Sequence, residues 1–184
     1  MDHLGTLAVF CAETPSEAIP ADVLTRTALI LADSVGAIVG GAAEPDIAAL
    51  RARPLLAPPG PALLLGTEVT TTPAAAALIN GTAGTVLEMD EGHQFARGHP
   101  GMHVVPAALS IAAALGAVSG RDLLAAVALG YEAAARVGIA TRPNPAMHPH
   151  GTWGAIGAAV AVQRLVGADA AQMRTAMNMA ASLG

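Results

Sequence analysis

The chain has 184 residues, a formal net charge of −5 and nine basic residues, all of them Arg. With 44 Ala, 20 Gly, 53% hydrophobic and only 12% charged residues, the composition excludes a disordered or solvating acidic segment. No basic stripe exists to capture nucleic acid, and the length suits one domain or part of a larger one.

The N-terminus carries Asp2 and His3 where a signal peptide would carry basic residues, so a cytoplasmic chain is expected. Cys11 is the sole cysteine, which excludes an internal disulfide and fits a reducing compartment. Pro20 suits a first helical position, and Leu24, Ala28, Leu31, Val35 and Ile38 recur at three- and four-residue steps. A helix is therefore expected over Ala21 to Val39, ended by Gly40-Gly41. A short helix over Asp46 to Ala52 precedes a loop enforced by Pro54, Pro58, Pro59 and Pro61. Ala62 to Leu65 is a brief apolar run that reads as an isolated strand. Thr72 caps and Pro73 opens a helix reaching Met89, within which Asn80-Gly81 marks either a break or a point of close packing.

Glu91 to Met102 reads as a loop and His103 to Val118 as a helix, with Ser119 capping the next, Asp122 to Val137. Residues 139–151 hold Pro143, Pro145, Pro149 and Gly151 and form a loop. Helix resumes over Thr152 to Val166, and again from Asp169 to the end. About seven helices and almost no strand make the class all-α: an Ala/Gly-rich multi-helix bundle, a single helical domain over residues 1–184. Small residues let helix backbones approach closely, but each buries little area, at roughly 25 cal/mol per Å². Such a bundle needs many close contacts or cover from another chain. The longest apolar run, Val104 to Val118, has 15 residues, short of the ~20 that a membrane span requires. No membrane partner is expected, and the surplus apolar surface is expected to face protein.

Five of the six His fall in two loops. His93, His99 and His103 share the first with Glu88, Asp90, Glu91 and Arg97; His148 and His150 share the second with Arg142. Two helices separate the loops, an out-and-back path that returns the chain to one end of the bundle, so both loops are expected beside one pocket. Blander readings stand beside this one. The acidic trio suits a solvated helix end, although it opposes the helix dipole. Trp153 reads as a buried anchor, Tyr131 as packing and Arg136 as a surface charge. His99 and His103, with His148 or His150, have the spacing of a metal site, but Pro100 and Gly101 count against a regular helix there and no Cys supports it. No metal and no cofactor are expected.

The segment NGTAGTVLEMDEGHQFARGHPGMHVVPAAL, residues 80–109, resembles the MmgE/PrpD family: an Asn-Gly helix running into an acidic cluster, a short loop and His-Pro-Gly. SGRDLLAAVALGYEAAARVG (119–138) and MHPHGTWGAIGAAVAVQRLVG (147–167) are similar to the family's next two signatures, in order. The resemblance runs from about residue 6 onward. It implies the N-terminal part of a large all-α domain that carries dimer contacts, beside an α/β lid domain. It also implies lyase or isomerase chemistry on small di- or tricarboxylates, of dehydratase, decarboxylase or epimerase type, without an obligatory metal.

By that resemblance Glu88 and Asp90 match the acidic pair, His99 the His-Pro-Gly histidine and His148 the later histidine. His99 and His148 are then expected to act in acid/base or carboxylate-polarising roles, with Asp90 orienting an imidazole. Glu88, His93, Arg97, His103 and His150 are expected around the substrate. Thr85 stands where many members have His, Gly92 where many have Thr, and His150 replaces a more usual Thr. The runs EGHQFARGHPG and HPHGTWG are nearest the iminodisuccinate epimerase branch. Members are more than twice as long, with catalytic lysines and the lid beyond the matching region, whereas this chain has no Lys. The expected partners are therefore a small carboxylate and either a second copy or a complementary C-terminal chain. The rival expectation is a non-catalytic helical assembly module.

Overall fold

Side-chain caps set several helix starts in the computed structural model, which describes residues 2–53, 58–142 and 151–182. Asp2 accepts from the Gly5 amide at 2.9 Å and opens α1, His3–Glu13. Ser119 accepts from the Asp122 amide at 3.1 Å at the head of α6, Gly120–Ala140. Asp169 and Gln172 form a reciprocal capping box at the head of α8, Ala170–Ala181. Each such cap satisfies amide donors that the first turn leaves without intrahelical partners. The remaining helices are α2, Ala21–Gly41; α3, Pro45–Arg51; α4, Pro73–Thr85; α5, Gly101–Leu115; and α7, Gly154–Leu165.

Eight α-helices thus occur among the described residues, one more than the sequence reading anticipated. The extra one is α1. Its carbonyl end is held by Arg164 of α7, which donates to Ala12 O at 2.7 Å and Thr14 O at 2.8 Å, a cation at the negative end of a helix dipole. Asp2 pairs with Arg174 of α8 at 2.7 Å.

Other boundaries also shift. Helix α4 ends at Thr85 rather than Met89 because Glu88 takes a left-handed conformation, φ 51°. Helix α5 begins at Gly101 and stops at the left-handed Gly116, φ 73°. The run at Ala62 is not an isolated strand: β1, Ala62–Leu63, pairs antiparallel with β2, Thr70–Thr71. Asn80 lies inside α4 without breaking it. Its buried amide accepts from Leu65 N and donates to Leu63 O, both at 3.0 Å, which pins the hairpin to the helix.

Three groups of apolar side chains fill the body. Cys11, Leu129, Val160, Met173 and Met177 join α1, α6, α7 and α8. Val104, Val105, Val127 and Ala161 join α5, α6 and α7. Ile38, Ile47, Leu64, Ile79 and Met102 join α2, α3, the hairpin, α4 and α5. Burial pushes the Cys11 thiol up to about 12, so it packs as a neutral apolar group. Helices α6 and α7 form the most extensive pair. They touch backbone to backbone: a Cβ on Gly157 would lie 2.6 Å from both Gly130 O and Ala134 Cβ.

Helices α2 and α6 are each long and apolar enough to cross a membrane, by length and composition. Half of the α6 window is buried inside the bundle, against 17% for α2. Helix α2 exposes Val23, Leu29 and Val39 alongside Asp22, Arg26 and Asp33.

Two helical glycines should respond oppositely to alanine. Gly157→Ala overpacks the α6–α7 contact and is expected to cost about 1–3 kcal/mol in urea unfolding. Gly36→Ala, on α2 with no atom within 4 Å of the added methyl, should stabilise by about 0.5–1 kcal/mol. Equal effects at the two sites would contradict the close approach.

Candidate active site

The loop joining α4 to α5 is short of regular structure but not of contacts. His93 N donates to Gly98 O at 2.8 Å and Arg97 N to His93 O at 2.8 Å, closing a tight turn. The His93 side chain joins the same turn: its Nδ1 accepts from Ala96 N at 3.0 Å. An accepting nitrogen carries no proton, so this imidazole bears its proton on Nε2. Its ring lies edge-on to Phe95 and tilted against Tyr131, with centroids about 6 Å apart. Ala96 is anchored from below by Trp153, which is 4% exposed. A Cβ on Gly138 of α6 would meet Trp153 Cε2 at 3.0 Å and Ala96 Cβ at 3.1 Å. The one tryptophan is a structural peg, and it ties loop, α6 and the start of α7 together.

Asp90 and His99 face each other across this loop. Asp90 Oδ2 lies 3.1 Å from His99 Nδ1, with side-chain exposures of 2% and 30%. The pair makes an ion contact rather than an aligned hydrogen bond. A buried carboxylate beside Nδ1 restrains the orientation of the ring.

Glu91 points elsewhere. Its Oε1 accepts from Gly101 N at 2.5 Å and its Oε2 from the Tyr131 hydroxyl at 2.7 Å. Burial holds the Glu91 carboxyl above its ordinary range, although the Tyr131 and Gly101 hydrogen bonds and the His99 charge act the other way. Burial and the Glu91 contact likewise push the Tyr131 phenol upward. The sequence reading placed Tyr131 in packing and Glu91 in a loose acidic trio; a shared hydrogen bond across 40 residues has no one-dimensional signature.

Two clefts flank these residues. The first, about 710 Å³, is walled by α2, α6 and residues 91–95, and three of the chain's four aromatic residues, Phe10, Phe95 and Tyr131, line it. Glu91, Gly92, His93 and Glu132 also border it, and Arg26 supplies positive charge. The second, about 540 Å³, is bordered by Thr85, Glu88, Met102 and His103. The expected site residues are therefore divided: His93 faces one cleft, Glu88 and His103 the other. His99 and Asp90 line neither cleft, although a Cβ on Gly92, which borders the first, would lie 3.9 Å from His99 Cε1.

Glu88 and Arg97 are exposed and left-handed, φ 51° and 56°, a conformation uncommon for non-glycine residues. His103 packs on the start of α7, where a Cβ on Gly154 would overlap its ring. Arg136 is a surface charge paired with Glu132 of its own helix. His148 and His150 lie outside the described residues. Among the described residues no group of three His, Cys, Asp or Glu side chains converges as a metal centre would require.

The raised Glu91 carboxyl carries a pH signature. The folded chain holds that proton more tightly than the unfolded one. Its contribution to stability is therefore full at low pH and is lost as pH rises through the folded pKa. Urea unfolding of wild type and Glu91→Gln should show the variant gaining on wild type as pH rises above about 4. A difference that does not change with pH would contradict the burial of a titrating carboxyl.

The MmgE/PrpD N-terminal domain model matches residues 5–184. Cis-aconitate decarboxylase of Aspergillus terreus strain NIH 2624 is 28% identical over 188 residues, covering 96% of this chain and 38% of its own length. A second Aspergillus terreus cis-aconitate decarboxylase is 29% identical, over 88% of this chain and 35% of its own. The cis-aconitate decarboxylase-like protein oryM of Aspergillus oryzae is 30% identical, over 90% and 36%. The chain spans less than two fifths of the length of these relatives. From residue 5 onward, with the acidic loop, His-Pro-Gly turn and Ala-rich helices in place, it belongs to the MmgE/PrpD family as that family's N-terminal domain.

Proposed function

We propose that this chain supplies part of a lyase site acting on a small tricarboxylate or dicarboxylate, with His99 as its acid/base group and Asp90 as the carboxylate that orients it. The observation that carries the reading is the Asp90–His99 contact: a carboxylate almost wholly buried against an imidazole that is 30% exposed. Proton delivery beside a carboxylate needs a group that titrates near neutrality and is held in one orientation. In a decarboxylation the C–CO₂ bond breaks, its electron pair stays on the substrate as an enolate-like anion, and the imidazolium donates to that anion a proton that the resulting imidazole regains from solvent. The dehydratase and epimerase variants ask the same imidazole to move a proton beside a carboxylate, followed by loss of water or by return of the proton to the opposite face. The decarboxylase names carried by the relatives favour the first of the three.

The developing negative charge calls for cations. Arg97, exposed beside the turn, and Arg26 at the first cleft are the described candidates. We assign the rest to His148 and His150 and to a Lys-bearing segment or partner chain. His93 has one nitrogen committed to its own turn, so its part is to donate from Nε2. A second reading, a helical assembly module, is favoured by the exposed apolar side of α2. The two meet if α2 seats a second copy or a complementary chain that completes the site.

Turnover of cis-aconitate and of related di- and tricarboxylates by the full-length protein tests the assignment. His99→Gln is expected to lower kcat by about 10²- to 10⁴-fold and Asp90→Asn by about 10- to 100-fold. Unchanged rates in both variants on every acid that the wild type consumes would remove the proposal.

A further inference from the structure

The start of α5 lacks a cap of its own, since Pro100 at the N-cap makes no side-chain hydrogen bond to the first turn. A residue from outside the helix supplies one. Glu91 Oε1 accepts from the Gly101 amide at 2.5 Å while its Oε2 accepts from Tyr131 of α6 at 2.7 Å. A carboxylate at the positive end of a helix dipole, accepting an otherwise orphaned amide, is favourable twice over.

The space is cut to fit that carboxylate. A Cβ on Gly101 would lie 2.7 Å from Glu91 Oε1, 2.9 Å from Glu91 Cγ and 2.9 Å from Ser34 Oγ of α2. Any side chain at residue 101 evicts Glu91, so the glycine after His99-Pro100 and the acid at 91 form one device. The hydrogen bond closes the segment from Glu91 to Gly101, ten positions apart. Asp90 sits one residue from one end of that closure and His99 two residues from the other. The two ends of the Asp90–His99 contact are therefore held by the same bond.

We infer that Glu91 is the positioning residue of this site: with Tyr131 it locks the start of α5 to α6 and thereby sets His99 against Asp90. The inference rests on the reading of His99 as the acid/base group for its purpose, but not for its test. Glu91 itself touches no reacting atom in this scheme. Both its oxygens are occupied by donors, and it acts through the backbone of Gly101.

Amide exchange and side-chain NMR of ¹⁵N-labelled chain test it without any need for activity. Glu91→Ala is expected to speed exchange at Gly101 about tenfold or more and to displace the His99 ring signals. Glu91→Gln keeps an acceptor for Gly101 and should restore both. Tyr131→Phe should leave Gly101 protected yet move the His99 signals part of the way. Unchanged His99 signals in a folded Glu91→Ala chain, even one with a lower Tm, would overturn the inference. Should Glu91→Ala fail to fold, unchanged His99 signals in Tyr131→Phe would overturn it equally. Displaced signals combined with full turnover by His99→Gln would instead refute the acid/base reading and leave the positioning role intact.

Discussion

Asp90 and His99 lie 3.1 Å apart on a loop outside any regular helix or sheet. What holds them is a closure from below. Glu91 bonds Gly101, Trp153 pins Ala96, and the turn from His93 to Gly98 is tied through its amides and through the His93 ring. A partly exposed imidazole is useful as a proton carrier only when its ring is held in one orientation. The chemistry proposed for this protein depends on that restraint more than on any single charge.

The restraint is in turn made affordable by small residues. Glycine and alanine let α6 and α7 come within backbone contact, as at Gly130 and Gly157, with the Val104 side chain of α5 packed against both. Loops at the ends of such helices are then carried on a stiff support. The cost is area, since an alanine buries little, and the unpartnered apolar side chains of α2 are its visible consequence. A helical body with this composition gains from any protein surface that covers it.

Much of the fold was legible in one dimension because it is written in local chemistry. Ser119 and Asp169 announce their helices by capping, whereas the left-handed Gly116 that stops α5 lay inside the helix expected over His103 to Val118. Helix α1 was overlooked although Asp2 caps it and Leu4, Leu7, Ala8 and Cys11 follow a helical step; its stability is tertiary, held by Arg164 from α7. Asn80 read ambiguously because its role is to hold a hairpin 15 to 17 residues away.

At the site the sequence grouped the polar residues of one loop without showing which of them touch. Asp90 lies 3.1 Å from His99, the contact on which their proposed roles rest. His93, grouped with substrate contacts, spends one nitrogen on its own loop, and Glu91, passed over, proves the most connected carboxylate of the cluster. Contacts across 40 residues of chain leave no periodicity to find. The most direct measurement is a crystal structure of the full-length protein with an unreactive tricarboxylate bound. The account predicts that ligand within about 3 Å of His99 Nε2, with Asp90 still against Nδ1. A ligand seated elsewhere, with His99 turned away from it, would contradict the account.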